Sequence, residues 1–141
     1  MPRSITAPNP SRVKGILLRC HSPGGSAMGP GEISDLLFEA RNRKPIWAVC
    51  DGMAASAAYF IASAAERLVV NSDGEAGSIG TYWVHVDYSE QRKMIGEKVS
   101  IIQAGKYKTV GHPDRPMSAG DREVEQQWVN HYNRLFVQSV A

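Results

Sequence analysis

The sequence predicts an α/β domain in which a mostly parallel sheet is covered by helices. Short apolar runs alternate with segments whose apolar residues follow helical spacing. Turns that contain glycine or proline separate these segments, which is the pattern of repeated strand–helix units. The 141 residues are 43% hydrophobic, which suits a single buried core. Because sites in such sheets lie at the carboxyl ends of strands, a functional site is expected in the turns that follow the strands.

The first half of the chain contains the clearest strand–helix units. Residues 1–12 are rich in Pro and Ser, so we predict a flexible lead-in before a single domain over 13–141. Residues 13–20 form an apolar run, and HSPGG at 21–25 predicts a glycine turn. The following segment predicts a helix because four apolar residues share one face: Ile33, Leu36, Leu37 and Ala40.

A second unit follows directly. Pro45 ends the helix, residues 46–50 predict a short buried strand, and Asp51-Gly52 leads into an alanine-rich helix from about 54 to 65. Residues 67–71 predict the next strand. We therefore expect these strands to lie side by side and parallel.

The second half predicts two more strands and two helices. Apolar and polar residues alternate over 81–87, SEQRKMIG predicts a short helix, and 98–103 reads as a strand before the AGKYKT loop. Ser118 opens a final helix, with Asp121 in an acidic version of the capping box. The apolar face of this helix contains Val124, Trp128, Tyr132, Leu135 and Phe136.

Composition excludes several classes of partner. A net charge of +2 gives no field that favours nucleic acid or an acidic membrane surface. No secretory signal and no run of about 18 apolar residues is found, so a soluble protein without a membrane anchor is expected. Cys20 and Cys50 each end an apolar run, which predicts buried thiols in a reducing, cytoplasmic setting.

Ser56 is the first candidate for chemistry. In GMAASAAY it lies near the start of a helix between small residues, which would let a substrate backbone approach. The N–H groups and positive dipole end of a helix can stabilise an oxyanion. An ordinary helix N-cap is the commoner role for such a serine, so its position alone favours the cap.

A nucleophilic serine also needs an oxyanion hole and a base. The pair Gly24 and Gly25 follows a strand and exposes backbone N–H groups, although glycine pairs more often serve tight turns. The four histidines are His21, His85, His112 and His131, and none has supporting spacing, although a triad of His85 with Asp87 or Asp51 stays open. Lys106 or Lys108 could serve instead, if the amine is buried and oriented by a hydroxyl such as that of Ser78.

Several motifs together resemble the signal peptide peptidase A family of serine peptidases. They occur in the order SPGG, DGMAASAAYFIASAAERLVV, GSIG and HVDYSEQRKMIGEKVSIIQAGKYKT. The Ala-Ala-Ser-Ala-Ala turn and the HVD strand are most similar to the phage branch, the head-maturation proteases. The resemblance runs from about Val13 to Ala141 and is far more specific than any single motif.

This resemblance implies a role for each site residue. It makes Ser56 the nucleophile, Lys108 the general base, and Ser78 the hydroxyl that orients the lysine, while the oxyanion donors are the backbone N–H groups of Gly25 and Ala57. It also implies the fold of the Clp protease and crotonase superfamily, a spiral of parallel strand–helix units. No metal or organic cofactor is implied.

The resemblance further implies a serine endopeptidase that processes scaffold and capsid proteins during phage head maturation, in the host cytoplasm or the prohead. Family members form rings, so a homo-oligomer is expected. They also carry strands before the segment that begins at Val13 and more structure after the last helix, so the core is expected to be truncated at both ends. Three alternatives stay open: a soluble bacterial protease of the signal-peptide-peptidase type, a crotonase-type acyl-CoA enzyme, and an inactive fragment acting as an assembly component.

Overall fold

The structure is a computed structural model that describes residues 12–141, so most of the predicted lead-in lies outside the described residues. Its sheet has four strands, all of them parallel: β1 (Ile16–Ser22), β2 (Ile46–Ala55), β3 (Arg67–Val70) and β4 (Glu75–Gly77). Strand β2 is central, because β1 pairs along it, β3 pairs with its first half and β4 pairs with its last residues. The predicted parallel α/β architecture is confirmed.

Two helices cover one face of this sheet. Helix α1 (Pro30–Ala40) follows β1, and helix α2 (Ala57–Ser63) follows β2. The alternation of a strand places Ile46, Ala48 and Cys50 on the covered face, where each is fully buried. Trp47, between them, faces the other way and is exposed. The core therefore lies on one face of the sheet and consists largely of small residues.

The chain divides into two compact units. The first contains the described residues up to Gly80 together with Leu135–Ala141, and the second is Thr81–Arg134. Helix α4 (Ala119–Val140) contributes its last residues to the first unit, where the Phe136 ring stacks on Phe60 with 4.8 Å between centroids. No helix in residues 12–141 is long and apolar enough to cross a membrane.

The second unit combines two helical segments with irregular backbone. It contains helix α3 (Ser89–Met94) and most of α4, whose predicted capping box is present: Asp121 N–H donates to Ser118 Oγ and Ser118 N–H to the Asp121 carboxylate, both over 3.1 Å. Thr81 donates its hydroxyl to the carbonyl of Val129 over 2.8 Å. The ring of Trp83 lies against Gly111, where a Cβ would come within 2.7 Å of it.

Two predicted strands are wrong. Residues 81–87 and 98–103 pair with no strand in the described chain. Alternating polarity predicts an extended segment with one apolar face, but a strand also needs a neighbouring backbone, which the alternation cannot supply. The helix predicted from about 54 begins later, at Ala57, because β2 continues through Ala55. That difference places Ser56 between strand and helix.

Candidate active site

Ser56 occupies a strained turn between β2 and α2. Its backbone has φ 53 and ψ −124, and it and Ser78 are the non-glycine residues with positive φ among residues 12–141. Such backbone costs on the order of 1–3 kcal/mol for a residue with a Cβ, and it is found most often at active sites. Although Ser56 holds the N-cap position, its hydroxyl makes no capping hydrogen bond to α2. The capping role that its position favoured is therefore absent, and the hydroxyl is left for other chemistry.

The glycine turn after β1 packs directly against this serine. A Cβ on Gly24 would lie 2.6 Å from Ser56 Cβ and 2.8 Å from the carbonyl oxygen of Ala55, and the φ of Gly24 is +104. Only glycine fits there without moving the backbone. The N–H of Gly24 donates to the hydroxyl of Ser22 over 3.2 Å, so this amide is already used.

Two other amides remain as oxyanion donors. The N–H of Gly25 has no hydrogen-bond partner within the described chain, and the N–H of Ala57, in the first turn of α2, has no intrahelical acceptor. Both residues line one cavity of about 530 Å³. Its apolar wall includes Met28, Ile33 and Ile61. The two predicted donors thus border a space that can hold a substrate side chain.

Ser78 is joined to the nucleophile turn through the residue before it. The N–H of Ser56 donates to the carbonyl oxygen of Gly77 over 2.8 Å, and Gly77 is the register partner of Ala55 between β4 and β2. Ser78 itself is exposed and has φ 56. The structure therefore brings together four of the predicted residues in the first unit: Ser56, Ala57, Gly25 and Ser78.

A β-bulge precedes the nucleophile. Cys20 pairs with Cys50, but the next pair is Ser22 with Ala54, so β2 carries extra residues opposite His21. The His21 Nδ1 is hydrogen-bonded to the carbonyl oxygen of Asp51. His21 is the one histidine among the described residues of the first unit, and its ring is engaged in holding the bulge.

Lys108 lies in the second unit, in a tight turn closed by its own N–H, which donates to the carbonyl of Gly105 over 3.2 Å. Its side chain is exposed. Lys106, two residues earlier, places its ammonium 5.1 Å from the centroid of the Tyr107 ring. His85 Nε2 is hydrogen-bonded to the carbonyl of His112 over 3.2 Å, so this ring too is engaged elsewhere.

Sequence reasoning misassigned one residue and missed two others. It treated Gly24 as one of two equivalent donors, whereas the structure uses it for close approach. It gave no role to the carbonyl of Gly77, or to Arg115, which donates to the carbonyl of Thr109 beside Lys108 over 2.7 Å. The SPGG motif signalled the first, but no local pattern signals the other two.

The chain is similar in sequence to known peptidases. Residues 39–141 match the model of peptidase family S49. The chain is 36% identical over 131 residues to head-tail preconnector protein GP5 of Enterobacteria phage P21, covering 93% of this chain and 26% of that protein. It is 35% identical over 129 residues to a putative protease of Methanocaldococcus jannaschii, covering 92% and 42%.

A further relative is capsid assembly protease C of Escherichia phage lambda, at 33% identity over 129 residues, which covers 92% of this chain and 29% of that protein. The chain thus spans less than half the length of each of these relatives. The resemblance to signal-peptide-peptidase-type and phage maturation proteases is confirmed. On this evidence the chain belongs to peptidase family S49.

Proposed function

We propose that this chain carries the catalytic core of a serine endopeptidase that works through a Ser56/Lys108 dyad. The observation that carries the proposal is the strained Ser56 turn, with its uncapped hydroxyl and the Gly24 backbone packed against it. An ordinary helix start needs neither feature. Membership of a peptidase family favours peptide hydrolysis over the acyl-CoA alternative.

The chemistry proceeds in two stages. Ser56 Oγ attacks the peptide carbonyl carbon, and its proton passes to the neutral amine of Lys108, which then delivers it to the leaving amine. The N–H groups of Gly25 and Ala57 bind the oxyanion of each tetrahedral intermediate. A water molecule next attacks the acyl ester, gives its proton to Lys108, and Ser56 regains a proton as the acid product leaves.

The lysine requires a dry environment to remain neutral near pH 7. Lys108 is exposed in the single chain, so we expect bound substrate and a neighbouring copy in a homo-oligomer to shield it. Ser78 directly follows Gly77, whose carbonyl oxygen accepts the Ser56 N–H. Its hydroxyl is proposed to orient the amine of Lys108. The parallel sheet supports the proposal that its strand–helix repeats follow the spiral of the Clp and crotonase superfamily.

The proposed substrates are scaffold and capsid proteins in phage head maturation, cleaved in the host cytoplasm or prohead. Two phage relatives support this: a capsid assembly protease and a head-tail preconnector protein. The apolar wall of the cavity beside Gly25 and Ala57 suits a substrate with an apolar side chain near the scissile bond.

The test is covalent labelling with a fluorophosphonate probe, followed by intact mass. We expect Ser56→Ala and Lys108→Ala to abolish labelling, and native labelling to rise with pH because only the neutral amine accepts a proton. Lys106→Ala is the matched control and should label normally, since Lys106 lies against Tyr107 in the same loop. Full labelling of Lys108→Ala would exclude the dyad, and light scattering on the same sample would test the oligomer.

A further inference from the structure

Arg115 links the loop that carries Lys108 to the long helix of the second unit. Its Nη2 donates to the carbonyl oxygen of Thr109 over 2.7 Å, and Thr109 directly follows Lys108. The same guanidinium donates hydrogen bonds to both carboxylate oxygens of Asp121, with Nη1–Oδ2 at 2.5 Å and Nη2–Oδ1 at 3.0 Å. Such a two-pronged, charge-assisted contact fixes orientation as well as position.

The anchor at Asp121 is itself well held. Asp121 is only 7% exposed and lies in the first turn of α4. It accepts the N–H of Ser118 over 3.1 Å and donates its own N–H to the Ser118 hydroxyl over the same distance. Arg115 therefore connects the lysine loop to a fixed point at the start of a 22-residue helix.

The loop is also tied on the other side of Lys108. The lysine N–H closes a turn onto the carbonyl of Gly105, and the Thr109 hydroxyl donates to the side-chain oxygen of Gln103. These contacts fix the shape of the loop but not its place in the unit. Among the residues described in 103–109, the side-chain link to α4 is made through the Thr109 carbonyl and Arg115.

We propose that Arg115, held by Asp121, is the residue that positions Lys108 for proton transfer. This inference rests on the proposed function, since it gives Lys108 the role of base. Proton transfer requires donor and acceptor within hydrogen-bond reach, and a displacement of about 1 Å in the reacting geometry can cost about 100-fold in rate. Losing the clamp would leave the Thr109 carbonyl with the N–H of His112, a contact within the loop, and would remove its link to α4, so the lysine could shift.

A purely structural role for Arg115 makes a different prediction. If the clamp only stabilises α4, any substitution that weakens the hold on that helix should have the same effect on rate. Thr81→Val provides the matched control, because Thr81 donates to the Val129 carbonyl on α4 and, among the described residues, makes no hydrogen bond to the loop at 103–115. Both variants should lose stability, but only loss of Arg115 should affect proton transfer.

The test uses the full chain in its native assembly and compares Arg115→Ala, Arg115→Lys and Thr81→Val by phosphonate labelling and peptide hydrolysis, alongside thermal unfolding. We expect Arg115→Ala to lower the labelling rate constant and kcat by about 10- to 100-fold with KM little changed. Arg115→Lys should recover little, because an ammonium lacks the fork that spans Asp121 and Thr109. Sub-denaturing guanidinium should partly rescue Arg115→Ala, and Thr81→Val should label within about two-fold of native.

The outcomes distinguish failure of the positioning role of Arg115 from failure of the Ser56/Lys108 dyad. An Arg115→Ala variant that keeps native kcat, while Lys108→Ala is inactive, overturns the positioning role and leaves the dyad intact. Equal rate losses in Arg115→Ala and Thr81→Val would also overturn it. If Arg115→Ala does not fold, Asp121→Asn replaces it, since an amide keeps an oxygen for Ser118 but weakens the hold on Arg115. A fully active Lys108→Ala would overturn both this inference and the proposed function.

Discussion

The backbone N–H of Ser56 donates to the carbonyl oxygen of Gly77 over 2.8 Å, so one hydrogen bond connects the nucleophile turn to the loop that begins at Ser78. Both serines have positive φ, 53 and 56 respectively. The end of β2 and the end of β4 are therefore fixed to each other where each chain segment leaves the sheet.

Two substitutions of Ser78 distinguish the role of its hydroxyl from the role of its backbone conformation. Ser78→Gly and Ser78→Ala both remove the hydroxyl, but only glycine relieves the cost of φ 56. We expect Ser78→Gly to be more stable than Ser78→Ala by about 1 kcal/mol in chemical unfolding, and both to lose similar fractions of the labelling rate. Retention of the rate in Ser78→Gly but not in Ser78→Ala would show that backbone shape, and not the hydroxyl, matters.

The two glycines of the oxyanion turn should respond differently to alanine. Gly24→Ala drives a Cβ to 2.6 Å from Ser56 Cβ in a left-handed backbone, whereas a Cβ on Gly25 meets nothing within 4 Å. We expect Gly24→Ala to unfold at least about 1–3 kcal/mol more easily and to label poorly, while Gly25→Ala keeps native stability. Equal stability of the two variants in urea unfolding would contradict the packing described here.

Cys20 provides a chemical probe of the cavity. Burial, together with the neighbouring Cys50, raises the pKa of the Cys20 thiol above its usual value of 9.0. Alkylation by iodoacetamide should therefore be slow at neutral pH and accelerate as the pH rises, with buried Cys50 unmodified. Because Cys20 lines the same cavity as Gly25 and Ala57, alkylated protein should label more slowly at Ser56. Cys20→Ser is the control and should label normally in the presence of iodoacetamide.

Acid should weaken the second unit through Asp121. The Arg115 guanidinium, helped by the Ser118 N–H, lowers the pKa of this carboxyl from 3.8 to about 2. Because the folded pKa is the lower one, the stability that the group contributes is complete above about pH 4 and is lost as the pH falls towards 2. We expect Asp121→Asn to be less stable than the native chain at pH 5, with the difference shrinking at lower pH in thermal unfolding. A pH-independent difference would mean that charge plays no part.

The fold could be predicted where an element depends only on residues close to it in sequence. Strand β1, helix α1 and the capping box at Ser118 follow from an apolar run, helical spacing and a Ser–Asp pair, and all three are present. The strands predicted at 81–87 and 98–103 are wrong because pairing depends on a distant backbone that no local pattern reports. The same limit hid the start of α2, since an alanine-rich run is compatible with either strand or helix.

The candidate site was predictable from its motifs but not from its contacts. The residues of the first unit emerged from the order SPGG, AASAA and GSIG, whose small residues permit close backbone approach. The hydrogen bond from the Ser56 N–H to Gly77 has no sequence signature, because it forms only when β4 joins the sheet, and the positive φ of Ser56 is likewise not encoded by any local pattern. The catalytic roles of all five residues stay predictions: Ser56, Lys108, Ser78, Gly25 and Ala57.

The bulge in β2 has a consequence for how this chain can diverge. Each residue added to a strand reverses the side to which the following residues point, so the length of the stretch between Cys50 and Ala54 sets the side on which Ser56 emerges. Deletion or insertion of one residue there would turn the nucleophile away from the Gly24 turn. We expect related sequences to differ in which residues stand between Cys50 and Ala54 but to keep the same number of them.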